Sequence, residues 1–236
     1  MKKNILICGS SKNLGKFLSE KFLDEDYNVI KISRNLKPEK NKNSYKCDLM
    51  KNNHCKNTLK KINKKYKSLD GIIFSVGDSK PQKDSKLEAE KYLASLKINL
   101  ITLVILIDNY MRVYKKKKTN FIVISSIAGS RIINAPAEYS VSKSALNYFC
   151  KIKAKELIKY GIKINIISPG NIFMKDNSWG KKMRKNKEKI KKYLNSNVPS
   201  KRFILPNEIY SICKVLLEEN NNYVGSNVII DGGQSL

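Results

Sequence analysis

The chain has 236 residues, with 47 Lys plus Arg against 20 Asp plus Glu, a formal charge of +27 and 41% hydrophobic residues. That length suits one domain or at most two small ones, and the apolar fraction excludes a disordered chain. The longest apolar run, 103–107 with Leu100 and Ile101 just upstream, is too short to span a bilayer. Met1-Lys2-Lys3 leads into Ile5-Leu6-Ile7, but turn formers follow at once, so no signal peptide and no membrane association are expected.

Strand-like runs occupy 4–8, 28–33, 71–75, 120–125, 163–168 and 227–231, with a further short one at 44–47. Between them, helical periodicity marks 13–25, 55–66, 86–114, 138–160, 181–194 and 206–219. Strands rich in β-branched residues and separated by helices predict a parallel sheet covered on both faces. The expected fold is a doubly wound α/β domain of Rossmann type, about seven strands, with its ligand at the carboxyl ends of the strands. No repeat or linker divides it, so a single domain over 1–236 is expected.

The charge invites a nucleic-acid reading, but its make-up argues otherwise. Of the 47 basic residues 42 are Lys and 5 are Arg, and Asn occurs 26 times. Arg is the usual tool for bidentate phosphate and base contacts, whereas Lys occurs here along the whole chain. A lysine coat is expected, without a nucleic-acid partner. Five cysteines share no CxxC spacing, which predicts a reduced, cytoplasmic protein. The single histidine, His54, adjoins Cys55 and follows Cys47 by seven residues. This trio lacks ligand-pair spacing, so no metal site is expected.

After the first strand the chain reads Cys8-Gly9-Ser10-Ser11-Lys12-Asn13-Leu14-Gly15. Glycine after a strand permits a sharp turn, and a second lets backbone approach a pyrophosphate at a helix N-terminus. The end of the second strand selects the nucleotide. An acidic residue there would accept from ribose hydroxyls, but this chain carries Ser33-Arg34. Arg34, with Lys12 in the glycine loop, suits a 2′-phosphate, which favours NADP(H) over NAD(H).

The densest pattern is Ser125-Ser126 at the end of a strand, then Tyr139-Ser140-Val141-Ser142-Lys143. Tyr139 and Lys143 stand at i and i+4 on one helix face. An ammonium beside a phenol lowers its pKa towards the range of acid catalysis, and Ser126 can hold a carbonyl.

With these motifs the chain resembles the short-chain dehydrogenases/reductases over 3–233. The family's glycine loop falls on Cys8 to Gly15, with Asn13 in place of its second glycine. The adenine-side Asp falls on Asp48, followed by Leu49. The paired-Asn motif falls on Phe74-Ser75-Val76-Gly77, and the catalytic Asn on Asn99. Ser126, Tyr139 and Lys143 take the catalytic positions, Pro169-Gly170 the nicotinamide-side turn, with Ile172 beyond it. Met174 stands where a Thr often bonds the carboxamide. The resemblance implies hydride transfer between a nicotinamide and a carbonyl, with Ser126 on the carbonyl oxygen, Tyr139 donating the proton, Lys143 on the ribose and Asn99 holding a water.

A segment over 173–201 corresponds to the family's substrate lid and is dense in Lys, with Trp179 and Tyr193 interleaved. A cationic lid suits an anionic substrate, such as an acyl group on a carrier protein or a nucleotide-linked sugar. The C-terminal Arg202 to Glu208 and Asp231-Gly232-Gly233 look most like 3-oxoacyl-carrier-protein reductases. Gly77-Asp78-Ser79-Lys80-Pro81 looks more like members that act on sugars of surface polysaccharides. A scaffold without catalysis is a further reading. The family usually assembles as a homotetramer or homodimer, with Leu100, Leu103, Val104, Ile107, Leu146 and Phe149 as apolar candidates for the interface.

Overall fold

A computed structural model describes residues 2–36, 43–79, 85–218 and 220–236. Lys80, Pro81 and the final residue of the expected 206–219 helix lie outside them.

Seven parallel strands form one sheet in the order β3-β2-β1-β4-β5-β6-β7. They are β1 (Asn4–Cys8), β2 (Asn28–Ser33), β3 (Ser44–Lys46), β4 (Gly71–Phe74), β5 (Thr119–Ile124), β6 (Ile162–Pro169) and β7 (Asn227–Ile230). The central strands β4 and β5 are buried at every residue, which explains their unbroken apolar sequence. On one face pack α2 (Asn52–Lys65), α4 (Thr102–Val113) and α5 (Ala137–Leu157), through Leu59, Ile62, Leu106, Tyr110, Leu146 and Cys150. On the other pack α1 (Asn13–Asp24) and α8 (Pro206–Leu217), through Leu18, Phe22, Ile209 and Leu216.

Two expected helices differ in structure. The one expected over 86–114 starts at Glu88 and consists of α3 (Glu88–Leu96) and α4, joined by a π-helical turn at Lys97–Ile101. This continuous helix of 26 residues is long and apolar enough to cross a membrane. Here it packs beside the sheet and buries Ser95, Asn99, Thr102 and Asn109 along with its apolar side. The helix expected over 181–194 is two, α6 (Ser178–Lys185) and α7 (Lys187–Asn197). Asn186 breaks them with φ −157° and caps α7 by accepting from the Lys189 N–H at 2.8 Å.

Of the apolar residues expected at an interface, Leu103, Ile107 and Leu146 instead cover the sheet and are fully buried. The exposed apolar residues of these helices are Leu93, Ile101, Val141, Tyr148 and Ile152.

Candidate active site

Strand order reverses between β1 and β4, so the connections leaving their carboxyl ends run in opposite directions and leave a crevice between them. A cleft of about 500 Å³ opens there. Its lining includes Gly9, Ser11, Lys12, Asn13, Leu14 and Gly15 from the first loop and Ser33 and Arg34 from β2. Asp48 and Leu49 follow from the β3 end, and Ser75, Val76 and Gly77 from the β4 end. Tyr139, Lys143, Pro169, Gly170 and Ile172 complete the expected set, all on one wall or another.

The first loop is built for close backbone approach. Gly9 has φ +85°, and a Cβ there would stand 2.8 Å from the Ser75 carbonyl oxygen. A Cβ on Gly15 would collide with the Gly9 carbonyl. Asn13 takes φ 47°, the left-handed conformation that asparagine bears better than most residues, so the loss of the second glycine leaves the turn intact. Lys12 precedes α1 and gives it no side-chain cap, and Lys12, Asn13 and Leu14 at the helix start line the cleft. Phe74 and Ser75 replace the paired asparagines, and the backbone does the bracing: Ser75 N–H donates to Cys8 O at 3.0 Å.

At the nucleotide end, the Ser11 and Ser33 hydroxyls bond at 2.8 Å, tying the glycine loop to β2 beside Lys12 and Arg34. His54 accepts from the Asp48 N–H through Nδ1 at 3.3 Å, and the Asp48 carboxylate accepts from Met50 N–H at 3.1 Å. His54 therefore shapes the Asp48 turn. A glycine cradle, an uncapped helix N-terminus and two cations fit a dinucleotide with an additional phosphate.

Tyr139 and Lys143 project from the first two turns of α5, opposite Ser126 at the end of β5. Ser126 caps a short 3-10 turn by accepting from the Ala128 N–H at 3.2 Å, which fixes its hydroxyl at the cleft. Desolvation raises the Tyr139 pKa, a hydrogen bond from Ser126 partly offsets this, and Asp78 adds to the rise. The expected lowering by Lys143 is therefore not what this geometry gives. The ammonium stands 5.9 Å from the Tyr139 ring centroid and donates to the Ile124 carbonyl at 3.1 Å. Lys143 is 3% exposed, and burial pulls its own pKa down to about 8.

Asn99 sits in the π-helical turn, fully buried and beneath the cleft. Its Oδ1 accepts from Asp78 N–H and its Nδ2 donates to Asp78 O, both at 3.0 Å. Nδ2 also lies 3.1 Å from Ser95 Oγ and 3.0 Å from Ser142 Oγ, and Ser142 donates to the Tyr139 carbonyl at 2.8 Å. The side chain thus clamps the loop after β4. Ser95, Ser142 and Asp78 were not singled out in sequence. Ser142 was visible only as the residue before Lys143, and its partners lie 43 and 47 positions away.

The cleft wall also carries Ile133, Ala135, Pro136, Ile172, Met174 and Trp179, with Asn134, Asn171, Asn177 and Ser178 among them. The lysines of α6 and α7, from Lys181 to Lys192, are all exposed, and none lines the cleft. The cationic face of this segment points outward.

A family model described as enoyl-(acyl carrier protein) reductase matches residues 21–235. The chain belongs to the short-chain dehydrogenases/reductases. This short-chain oxidoreductase is 29% identical over 244 residues to 3-oxoacyl-(acyl-carrier-protein) reductase FabG of Buchnera aphidicola, covering 98% of this chain and 97% of the relative. Among solved structures it is similar to ElxO with NADP bound, at 25% identity and a TM-score of 0.87, covering 99% of both chains. It is also similar to a short-chain dehydrogenase from Leptospira borgpetersenii with bound NAD+, at 26% identity and a TM-score of 0.83, covering 100% of this chain and 94% of the other.

Proposed function

We propose that this protein is an NADP(H)-dependent reductase of 3-oxoacyl groups carried as thioesters on an acyl carrier protein. The observation that carries the reading is the convergence of Ser126, Tyr139 and Lys143 at one cleft whose wall also carries Ile133, Pro136, Ile172, Met174 and Trp179. NADPH, when bound, supplies the hydride. Ser126 donates to the substrate carbonyl oxygen and fixes its position beside the Tyr139 phenol. Tyr139, a phenol and so protonated at neutral pH, delivers its proton to that oxygen as charge develops there. Lys143 supplies a cation behind the phenol and is the group placed to bond the nicotinamide ribose. Asn99 acts through Asp78, holding the loop that forms this wall.

Ile133, Pro136, Ile172, Met174 and Trp179 on the cleft wall, with a cationic exterior, suit a short acyl chain attached to an acidic carrier. The segment over 173–201 then serves as the substrate lid within a single domain. Five free, buried cysteines fit a reducing compartment such as the cytoplasm. The reading is tested by NADPH-dependent turnover of acetoacetyl thioester against keto-sugars.

Preference for NADPH rests on Arg34 and Lys12, since Ser33 and Arg34 end β2 without a carboxylate to take ribose hydroxyls. Arg34→Ala is expected to raise KM for NADPH about tenfold, as for one lost charge-assisted hydrogen bond. KM for NADH should stay unchanged. Equal effects on both cofactors would remove Arg34 from phosphate recognition.

A further inference from the structure

The α6–α7 segment has its own small core, separate from the two that cover the sheet: Ile190, Leu194, Val198 and Phe203, with Phe173, Trp179 and Tyr193 packed against it. Trp179, the only tryptophan, both belongs to this core and lines the cleft. Its ring stacks on Tyr193 at 5.1 Å between centroids and leans on Phe203 at 5.4 Å. The far end of Tyr193 is held by polar groups from outside the segment. Asn171 Nδ2 donates to its hydroxyl at 3.0 Å and Gln234 Nε2 at 3.2 Å, and the two carboxamides bond each other at 3.1 Å. Asn171 follows the Pro169-Gly170 turn and itself lines the cleft, while Gln234 belongs to the C-terminal segment after β7.

These contacts form one chain from the cofactor-side turn to the substrate wall. Two donors fix the Tyr193 oxygen, the Tyr193 ring fixes the indole, and the indole forms part of the cleft wall. We propose that Trp179 is the specificity-determining wall for acyl length, and that the Tyr193 hydroxyl is a positioning group that sets its depth through Asn171 and Gln234. The acyl part of this inference rests on the function proposed above; the latch does not.

Two readouts separate them. In the full-length protein Tyr193→Phe keeps the stacked ring and removes the acceptor. Acrylamide quenching of the single tryptophan should then rise about twofold, because a ring no longer held at its hydroxyl lets the stacked pair move and opens the indole to solvent. KM for acetoacetyl thioester should rise about five- to tenfold with kcat nearly constant, as expected when one hydrogen-bonded group that positions bound substrate is lost. Gln234→Leu should reproduce the same direction, and the double variant should add little to either single change. Trp179→Ala should shift the kcat/KM optimum on thioesters of four to ten carbons (a range of about one to three extra pairs of methylenes) towards the longer chains.

Unchanged quenching in both Tyr193→Phe and Gln234→Leu would overturn the latch. An unmoved chain-length optimum in Trp179→Ala would overturn the wall. If the unmodified protein turns over no acyl thioester, the acyl reading fails, and the latch is decided by quenching alone.

Discussion

Replacing Tyr139 by Phe is expected to lower kcat for carbonyl reduction by about 10²- to 10⁴-fold, the span that a positioned proton donor contributes. The Kd for NADPH, read by its fluorescence, should stay within about twofold. Both expectations follow from where the phenol sits. Its ring is packed at the start of α5 and Phe preserves that packing, while the hydroxyl's partner is Ser126, not a group of the nucleotide end. A phenol carries its proton at neutral pH, and desolvation raises this one's pKa further, so it holds the proton that reduction requires. Loss of NADPH binding in step with kcat would show that Tyr139 holds the cofactor and does not donate. A variant with full turnover would show that another group supplies the proton.

Lys143→Met should remove activity while making the fold more stable. The ammonium is 3% exposed, and its protein partner is the Ile124 carbonyl at 3.1 Å. Losing that cation behind the phenol is expected to cost about 10²- to 10⁴-fold in kcat/KM. Desolvation lowers its pKa from 10.5 to about 8, so holding the charge in the fold costs about 3 kcal/mol at neutral pH. Methionine fills nearly the same length without a charge and should recover part of that amount.

The pH dependence has a definite sign. Below about pH 8 Lys143 is charged in both folded and unfolded states, and its burial is a constant cost. Between about 8 and 10.5 the folded protein has released a proton that the unfolded chain still binds, so this residue's contribution to stability rises with pH. Buried thiols act in the opposite sense: Cys55 and Cys150 are pushed up to about 12 by burial, so the unfolded chain ionises first and stability falls as pH rises through 9. Urea midpoints of both proteins at pH 7 and pH 10 isolate the Lys143 part by difference. The advantage of Met should be large at pH 7 and small at pH 10. An advantage equal at both values would mean that Lys143 is not desolvated as described.

Local features were the readable ones. The strand-then-glycine opening, Arg34 at the end of β2 and the Tyr139–Lys143 spacing are each properties of a few neighbouring residues, and the fold brings them to one cleft. Hydrophobic periodicity likewise placed the strands to within a residue or two, because buried parallel strands tolerate little polarity. What sequence concealed depends on distant partners. Asn99 reads as a catalytic asparagine, but the sequence does not show that its amide also joins Asp78, Ser95 and Ser142, residues that only the fold brings together.

Composition also misplaced a helix boundary. A dense lysine run from Lys181 to Lys192 reads as one basic helix facing an anionic substrate. Asn177 and Asn186 were the signals of two helix starts, since each caps by accepting an N–H three residues on. The division turns Ile190, Leu194 and Trp179 inward and every one of those lysines outward. Charge therefore describes the outside of this segment, and a few aromatic rings describe its inside.

The most direct measurement is the initial rate of NADPH oxidation by the purified protein with acetoacetyl thioester, beside keto-sugars and a crotonoyl thioester as the carbon–carbon double-bond control. Turnover of the acetoacetyl thioester, abolished in Tyr139→Phe and at least about tenfold above either alternative in kcat/KM, is the predicted result. Faster turnover of a keto-sugar or of the crotonoyl thioester, or NADPH binding without oxidation on any of them, would contradict it.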